Sequence, residues 1–299
     1  MQTSIVELAE GRLYALCNPY RLDGRVSSHP IDARGFASNN CYLVVESEHA
    51  ILIDTGFSVH EQVLLEQLDS LLEPFLPLSV WALRIGEFAS ICNMRPVVER
   101  FSVDVLYGPP GSKPTEWVDF RPEFAPYGTE TGSGALGEIV DAMVRPGDIV
   151  KVGERGRSLL TLDAPLRLLP TSWAYDQETR TLFTADAFTY AWRPSSAGPW
   201  VITAEDDPTT SDQVTEYLLG SRFWWLAGAR TQELREGIRD VFRNFEIETI
   251  APAFGCIMRG RALVQRHAAM LDEILARVTE MPSIGLRVGR WRLDTGRVV

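Results

Sequence analysis

The chain has 299 residues, 45% of them hydrophobic, and a formal net charge of −11. That is enough apolar chain for one large core or two modest ones, and the acidic balance excludes a basic surface for nucleic acid or an anionic membrane. No run of about 18 apolar residues is present to span a bilayer. Met1-Gln2-Thr3-Ser4 lacks the charged, then apolar, start of a signal peptide, and the cysteines Cys17, Cys41, Cys92 and Cys256 form no CxxC pair, so a cytoplasmic protein with reduced thiols is expected.

In chain order, residues 4–16 alternate loosely and read as a first strand. Residues 17–38 carry Pro19, Gly24, Pro30 and Gly35 and read as a long loop lying over a pocket. Residues 41–45 and 50–53 are two strands, turned by Glu46-Ser47-Glu48-His49. Val63, Leu64, Gln67, Leu68, Leu71 and Leu72 give residues 60–73 helical spacing. A buried strand is expected over 78–85, a helix over 94–101 and a strand over 103–106. The Gly- and Pro-containing stretch 107–135 reads as loop, and 136–144 as a short helix. Strands follow at 149–152, 158–163, 166–169, 172–176 and 181–185, the last two forming a hairpin through the polar turn 176–180. Residues 190–212 are loop, with Glu205-Asp206-Asp207 a solvated acidic run. Helices are expected over 212–227, 231–244 and 260–279, a strand over 248–251, and a closing hairpin over 284–299. Leu263, Val264, Ala268, Leu271, Ile274 and Leu275 make the last helix amphipathic. No composition break divides the chain, which predicts one domain of alternating strands and helices over 1–299.

Three segments stand out: Ile51-Leu52-Ile53-Asp54-Thr55-Gly56, Leu182-Phe183-Thr184-Ala185-Asp186 and Ile250-Ala251-Pro252-Ala253-Phe254-Gly255. The first two echo each other, apolar strand then Asp then small residues. Together with Thr181–Phe188 and with Arg259-Gly260, they resemble the metallo-β-lactamase superfamily, in particular the diiron branch related to flavodiiron proteins. The resemblance runs from about residue 39 to residue 278. It implies an α/β fold of four layers, an αββα sandwich, with a dinuclear metal site at the loop ends of two facing sheets.

The same resemblance implies a first metal motif, His-x-Glu-x-Asp-His in the diiron branch, which maps to Ile85-Gly86-Glu87-Phe88-Ala89-Ser90. Ile91-Cys92-Asn93 after it fits the family's Ile-Gly-Asn. Glu87 matches a carboxylate ligand, while Ile85, Ala89 and Ser90 stand at degenerate ligand positions. Leu168 and Phe254 stand at two more, Asp186 matches the bridging carboxylate, and Asp54 the residue that organises the turn below the site. The only histidines are His29, His49, His60 and His267, none at a ligand position. A transition metal takes about four to six N, O or S donors, and Glu87 and Asp186 supply two. No cofactor is therefore expected, and Ile85, Leu168 and Phe254 are expected to make the old cavity apolar.

The remaining candidates have bland readings beside the chemical ones. Glu87 and Asp186 form a metal-free acid/base pair if they face each other in an apolar cavity; otherwise they are relics held by backbone or by an arginine. Cys92 and Cys256 follow ligand positions and read as small buried apolar residues. His29 reads as an exposed loop residue. Tyr190, Trp192, Trp200, Phe223, Trp224 and Trp225 floor a pocket, line an interface or pack the core. The functional expectation is a subunit, catalytically doubtful by itself, of a heteromeric hydrolase acting on a small aromatic ether or ester, paired with a competent metallo-β-lactamase-like subunit. Alternatives are a metal-free enzyme using Glu87 and Asp186, and a binder or sensor of a small apolar or aromatic molecule.

Overall fold

The computed structural model describes residues 4–111, 113–117, 139–154 and 156–283. The first half builds a seven-stranded sheet in chain order: β1 (Ser4–Ala9), β2 (Leu13–Leu22), β3 (Gly35–Val45), β4 (Ala50–Ile53), β5 (Leu78–Trp81), β6 (Val103–Gly108) and β7 (Val140–Met143). Strands β1 to β4 pair antiparallel and β4 to β7 parallel. Helices α1 (Glu61–Leu71), α2 (Phe88–Ile91) and α3 (Met94–Arg100) belong to this half.

The second half builds another seven-stranded sheet from β8 (Ile149–Lys151), β9 (Ser158–Asp163), β10 (Ser172–Asp176), β11 (Thr181–Ala185), β12 (Val201–Ile202), β13 (Thr249–Pro252) and β14 (Ile257–Arg259), in the order β12-β14-β13-β11-β10-β9-β8. Its helices are α4 (Ser211–Gly220), α5 (Gln232–Asn244) and α6 (Arg261–Thr279).

Side-chain alternation sets the layers. From the first sheet, Ile51, Ile53 and Trp81 join a core with Trp173, Leu182, Phe183 and Ile250 of the second sheet and Leu263, Leu271 and Leu275 of α6. Their neighbours Leu52, Leu78 and Val80 turn the other way, onto Leu64, Leu68, Met94 and Val97 of α1 and α3. Helices thus cover the outer faces of two stacked sheets. Buried Arg157 ties the sheets at one end, 2.8 Å from both Glu46 beyond β3 and Asp176 of β10.

Several expectations need correction. The stretch 17–38 is loop only over 23–34; its two ends belong to β2 and β3, which pair from Leu13↔Val44 to Leu22↔Gly35. The helix expected over 136–144 is the strand β7 over its described part, because parallel pairing to β6 overrides a weak local pattern. Residues 166–169 are an irregular surface connection rather than a strand. β12 and β14 were not anticipated. The hairpin expected over 284–299 lies outside the described residues.

Candidate functional site

Strands β4, β5, β11 and β13 all run toward the same end of the sandwich, so the residues just past their C-termini converge. Parallel pairing of β4 with β5 and of β11 with β13 fixes this. Asp54 follows β4, Arg84 follows β5, Asp186 follows β11 and Phe254 follows β13. Short bridges, Asn39↔Phe254 and Arg84↔Thr171, close the two sheets over the same place. Asn40 Nδ2 donates to the carbonyls of Pro252 (2.9 Å) and Gly255 (3.0 Å), and Tyr42 OH to that of Pro252 (2.6 Å). Gly255 has a φ of +78°, and a Cβ there would lie 2.2 Å from the Ala191 carbonyl oxygen, so only glycine makes this turn.

At the centre lies Arg84, whose side chain is fully buried. Its Nη1 donates to Asp186 Oδ1, its Nε donates to Ser90 Oγ at 3.1 Å, and its Nη2 stands 3.5 Å from Asp54 Oδ2. A second guanidinium, Arg222, donates through Nη2 to Glu87 Oε2 at 2.6 Å and places Nη1 3.0 Å from Asp186 Oδ1. Both cations sit over the Phe254 ring, at 5.4 and 6.0 Å from its centroid. Three carboxylates thus meet two guanidiniums, and Asp186 is shared by both.

Electrostatics follow from that packing. Burial opposes the charged form of Arg84, and the nearby Asp186, Asp54 and Glu87 outweigh it, holding its pKa above the ordinary value. Burial pushes the Asp54 carboxyl up, while Arg84 and the Leu83 backbone N–H, which donates to Oδ1 at 2.9 Å, pull it down; burial wins. Asp54 also takes a φ of 60°, as Ala185 takes 48° before Asp186, so the sequence echo marks two left-handed corners that each deliver a carboxylate to Arg84.

The expected site residues are partly assembled. Glu87 and Asp186 reach one centre, through Arg222, and are held by arginines rather than left as a free pair. Ala89 packs with Ala253 and Phe254, with Tyr20 and Phe57 against them. Ser90 accepts from Arg84. Ile85 turns instead toward Ile91, Met94 and Leu106 under the helices, and the adjacent Arg84 enters the centre. Leu168 is 38% exposed on the β9–β10 connection. The centre is therefore ionic under a Phe254 roof, and the expectation of an apolar cavity lined by Ile85 and Leu168 is corrected.

The other candidates fall into three groups. Cys256 is buried and burial pushes its thiol up to about 12; Cys92 is half-buried and burial raises it too, so neither is poised as a thiolate. Tyr190, Trp200 and Phe223 are core residues, while Trp224 and Trp225 are exposed. Trp192 packs edge-on to His29, with ring centroids 5.9 Å apart. His29 is buried rather than exposed: it is ringed by Tyr20, Trp192 and Tyr217, and burial and then Arg222 pull its pKa down to about 4. Arg84 and Arg222 were missed by sequence reasoning. An arginine inside the apolar run Trp81-Ala82-Leu83-Arg84-Ile85 was the available signal, since arginine is rarely fully buried without a partner. No local signal marks Arg222, 135 residues from Glu87.

The resident chemistry does not suit a dinuclear metal site. Among the described residues no group of three or more His, Cys, Asp or Glu is placed to hold a metal ion. The inward carboxylates are already neutralised by guanidiniums at hydrogen-bonding distance. Among the described residues, too, no helix is long and apolar enough to cross a membrane.

No known protein family matches the sequence, and no curated protein sequence matches it. Solved structures do match. The rubredoxin:oxygen oxidoreductase of Desulfovibrio gigas superposes with a TM-score of 0.64 at 13% identity, over 94% of this chain and 63% of that one. The flavodiiron protein of Giardia intestinalis gives 0.64 at 16% identity, over 92% and 60%. A fragment, residues 1–254, of a putative diflavin flavoprotein from Nostoc gives 0.63 at 13% identity, over 92% and 96%. The chain spans about three-fifths of the first two proteins. Two mixed seven-stranded sheets with flanking helices, superposing on these structures, give this chain the metallo-β-lactamase-like fold of the flavodiiron proteins.

Proposed function

We propose that this chain is a non-catalytic subunit that works beside a metal-bearing protein of the same fold. The observation that carries the reading is Arg84, fully buried and bound to Asp186 and Ser90 beside Asp54, at the point where the strand ends of both sheets converge. A guanidinium there supplies the positive charge that the inward carboxylates need, and leaves them no free role as metal ligands or as an acid/base pair. The scaffold around it is kept intact by the Asn40 and Tyr42 hydrogen bonds. A scaffold kept while its centre is closed fits selection for shape and surface.

The rim supports the same reading. Phe88, beside Glu87, is 64% exposed, and Trp224, two residues beyond Arg222, is 51% exposed. The Glu87–Arg222 ion pair brings these two stretches together. Exposed aromatics of this kind mark contact surfaces. In this proposal the partner is a metallo-β-lactamase-like hydrolase of small ethers or esters, whose access channel this chain helps to shape. The test is native purification from the source organism with elemental analysis. The proposal expects substoichiometric iron, zinc and manganese on this chain and a co-purifying metalloprotein of the same fold. A chain that runs alone, or that carries a full complement of metal, refutes it.

A further inference from the structure

The helical cover of the second sheet stops short of one corner. Residues directly opposite each other on paired strands point to the same side, so the pairings Ile149↔Leu160 and Leu160↔Tyr175 set these three side chains in one row across β8, β9 and β10. Helix α5 seats Ile238, Val241 and Phe242 on the core and ends at Asn244. The cover closes with Phe245, whose ring packs on Tyr175 with centroids 5.0 Å apart. Beyond it, exposure climbs along the row from 4% at Tyr175 to 62% at Ile149. A sheet face open to water is ordinarily polar. This one carries its apolar row on into a cavity of about 510 Å³.

The cavity is framed by fixed backbone. Tyr175 OH donates to the Glu246 carbonyl at 2.8 Å, bracing the wall that follows α5 against the floor. The Arg180 carbonyl accepts the N–H groups of Glu248 and Thr249 at 2.9 and 3.2 Å, which ties down the turn at the cavity's end. The charged groups beside it are spent on one another. Arg180 donates to Glu248 at 2.6 Å and stands 3.6 Å from Glu246, which also meets Arg261 at 3.3 Å. Two cations thus balance two carboxylates. The polar side chains left over are neutral: Ser158, Gln177 and Asn244 line the cavity and make no hydrogen bond among the described residues.

We infer that this cavity is a binding site for a small, uncharged, flat aromatic molecule with a hydrogen-bonding edge. A sheet floor edged by the Tyr175 and Phe245 rings suits a planar body. The row from Ile149 to Tyr175 spans two strand spacings, about 10 Å, and the volume falls within the range of small-molecule sites, about 300–1,000 Å³. The guest's polar edge meets the free amides of Gln177 and Asn244 and the Ser158 hydroxyl, each able to donate and to accept. A charged guest would give up its hydration with no unpaired opposite charge to meet. The turn 177–180 enters β11 at the end opposite Asp186, so the site is separate from the Arg84 centre. The inference does not rest on the subunit reading, since it requires no partner protein.

The experiment is calorimetric titration of the full chain at neutral pH with 2-quinolone, a flat neutral probe with a lactam edge, and with quinoline-2-carboxylate, its charged counterpart. 2-Quinolone is expected to bind one-to-one, and the carboxylate about tenfold more weakly. Ile149→Lys puts a charge into the floor at a position 62% exposed, where the chain is expected to fold, and is expected to weaken 2-quinolone by about tenfold or more. Gln177→Ala combined with Asn244→Ala removes the polar edge, with an expected loss of about tenfold. Phe75→Ala changes a 90% exposed aromatic between α1 and β5 and is expected to leave binding unchanged. Absence of 2-quinolone binding overturns the inference. So does equal affinity for the carboxylate, undiminished binding in Ile149→Lys or in the double variant, or a loss in Phe75→Ala as large as in Ile149→Lys, which marks adsorption to any exposed apolar surface. Sedimentation of the same samples adds one more refutation: self-association that Ile149→Lys abolishes assigns the cavity to a second copy of the chain. Co-purification of a metalloprotein bears only on the subunit proposal, so the two fail separately.

Discussion

Replacing Arg84 by methionine keeps most of the side-chain volume and removes the charge. Two carboxylates that the guanidinium now faces, Asp186 at 1% and Asp54 at 3% side-chain exposure, then stay buried with less compensation. Asp186 retains Arg222 at 3.0 Å, and Asp54 retains the Leu83 N–H. Breaking a buried pair by removing one partner costs about 3–5 kcal/mol, and the retained contacts place Arg84→Met toward the lower end of that range. Urea unfolding at neutral pH measures it. The deficit has a defined pH dependence. Asp54 already has a raised folded-state pKa, and loss of Arg84 raises it further. A carboxyl raised in the folded state takes up its proton there first, so the variant regains stability as pH falls from the folded value toward the ordinary value of about 3.9. Adding Asp186→Asn removes one stranded charge, and the double variant is expected to be more stable than Arg84→Met alone. A deficit below about 1 kcal/mol, or a double variant whose losses simply add, refutes the view that Arg84 is the charge-compensating hub.

Three further outcomes follow from other buried groups. His29, drawn down to about 4 by burial and then by Arg222, takes up its proton more readily when unfolded, so the protein loses roughly 3 kcal/mol as pH falls from about 6.5 to about 4. His29→Gln is expected to flatten that limb of the unfolding curve, and an unchanged slope counts against the buried placement. Asp207 shows the same sign at lower pH. Burial raises it, but hydrogen bonds from His267 at 2.8 Å and from Thr209 outweigh burial and hold it well below its ordinary range. Its stabilisation is present above about pH 3.9 and is lost as pH falls further, so Asp207→Asn, expected to cost about 2–3 kcal/mol at neutral pH, narrows the gap to the parent in acid. In native thiol titration only half-buried Cys92 is expected to react with a bulky disulfide reagent, all four cysteines reacting in denaturant; rapid native labelling of Cys17, Cys41 or Cys256 contradicts the packing.

Elements bounded by strong local signals were legible in the sequence. β4, β10, β11 and β13 are apolar runs closed by turn residues, and α6 shows its apolar stripe plainly. The hairpin of β2 and β3 was hidden because its upper part carries Asn18, Pro19, Ser38, Asn39 and Asn40. The four polar side chains, Asn18, Ser38, Asn39 and Asn40, are buried for tertiary reasons: Asn40 holds Pro252 and Gly255, and Asn39 accepts the Phe57 N–H at 2.8 Å. β7 is four residues with no period of their own, and its partner β6 decides its state. At the centre, the resemblance singled out Asp54, Glu87 and Asp186, three carboxylates that the fold gathers around Arg84 and Arg222. It did not supply what they bind. Arg84 sits one position before Ile85, the residue that the resemblance aligns with a first ligand, and only the bend after β5 settles that residue 84 turns inward and residue 85 outward.

The mutual dependence of these charges has an evolutionary consequence. A folded chain is stable by only about 5–15 kcal/mol, and Arg84, Asp54, Asp186, Arg222 and Glu87 are linked so that removing any buried member strands another. A single substitution among the buried members, Arg84, Asp54 or Asp186, therefore draws on a large share of that margin. Surfaces and rims are free to drift, while the charged centre can change only by several substitutions made together.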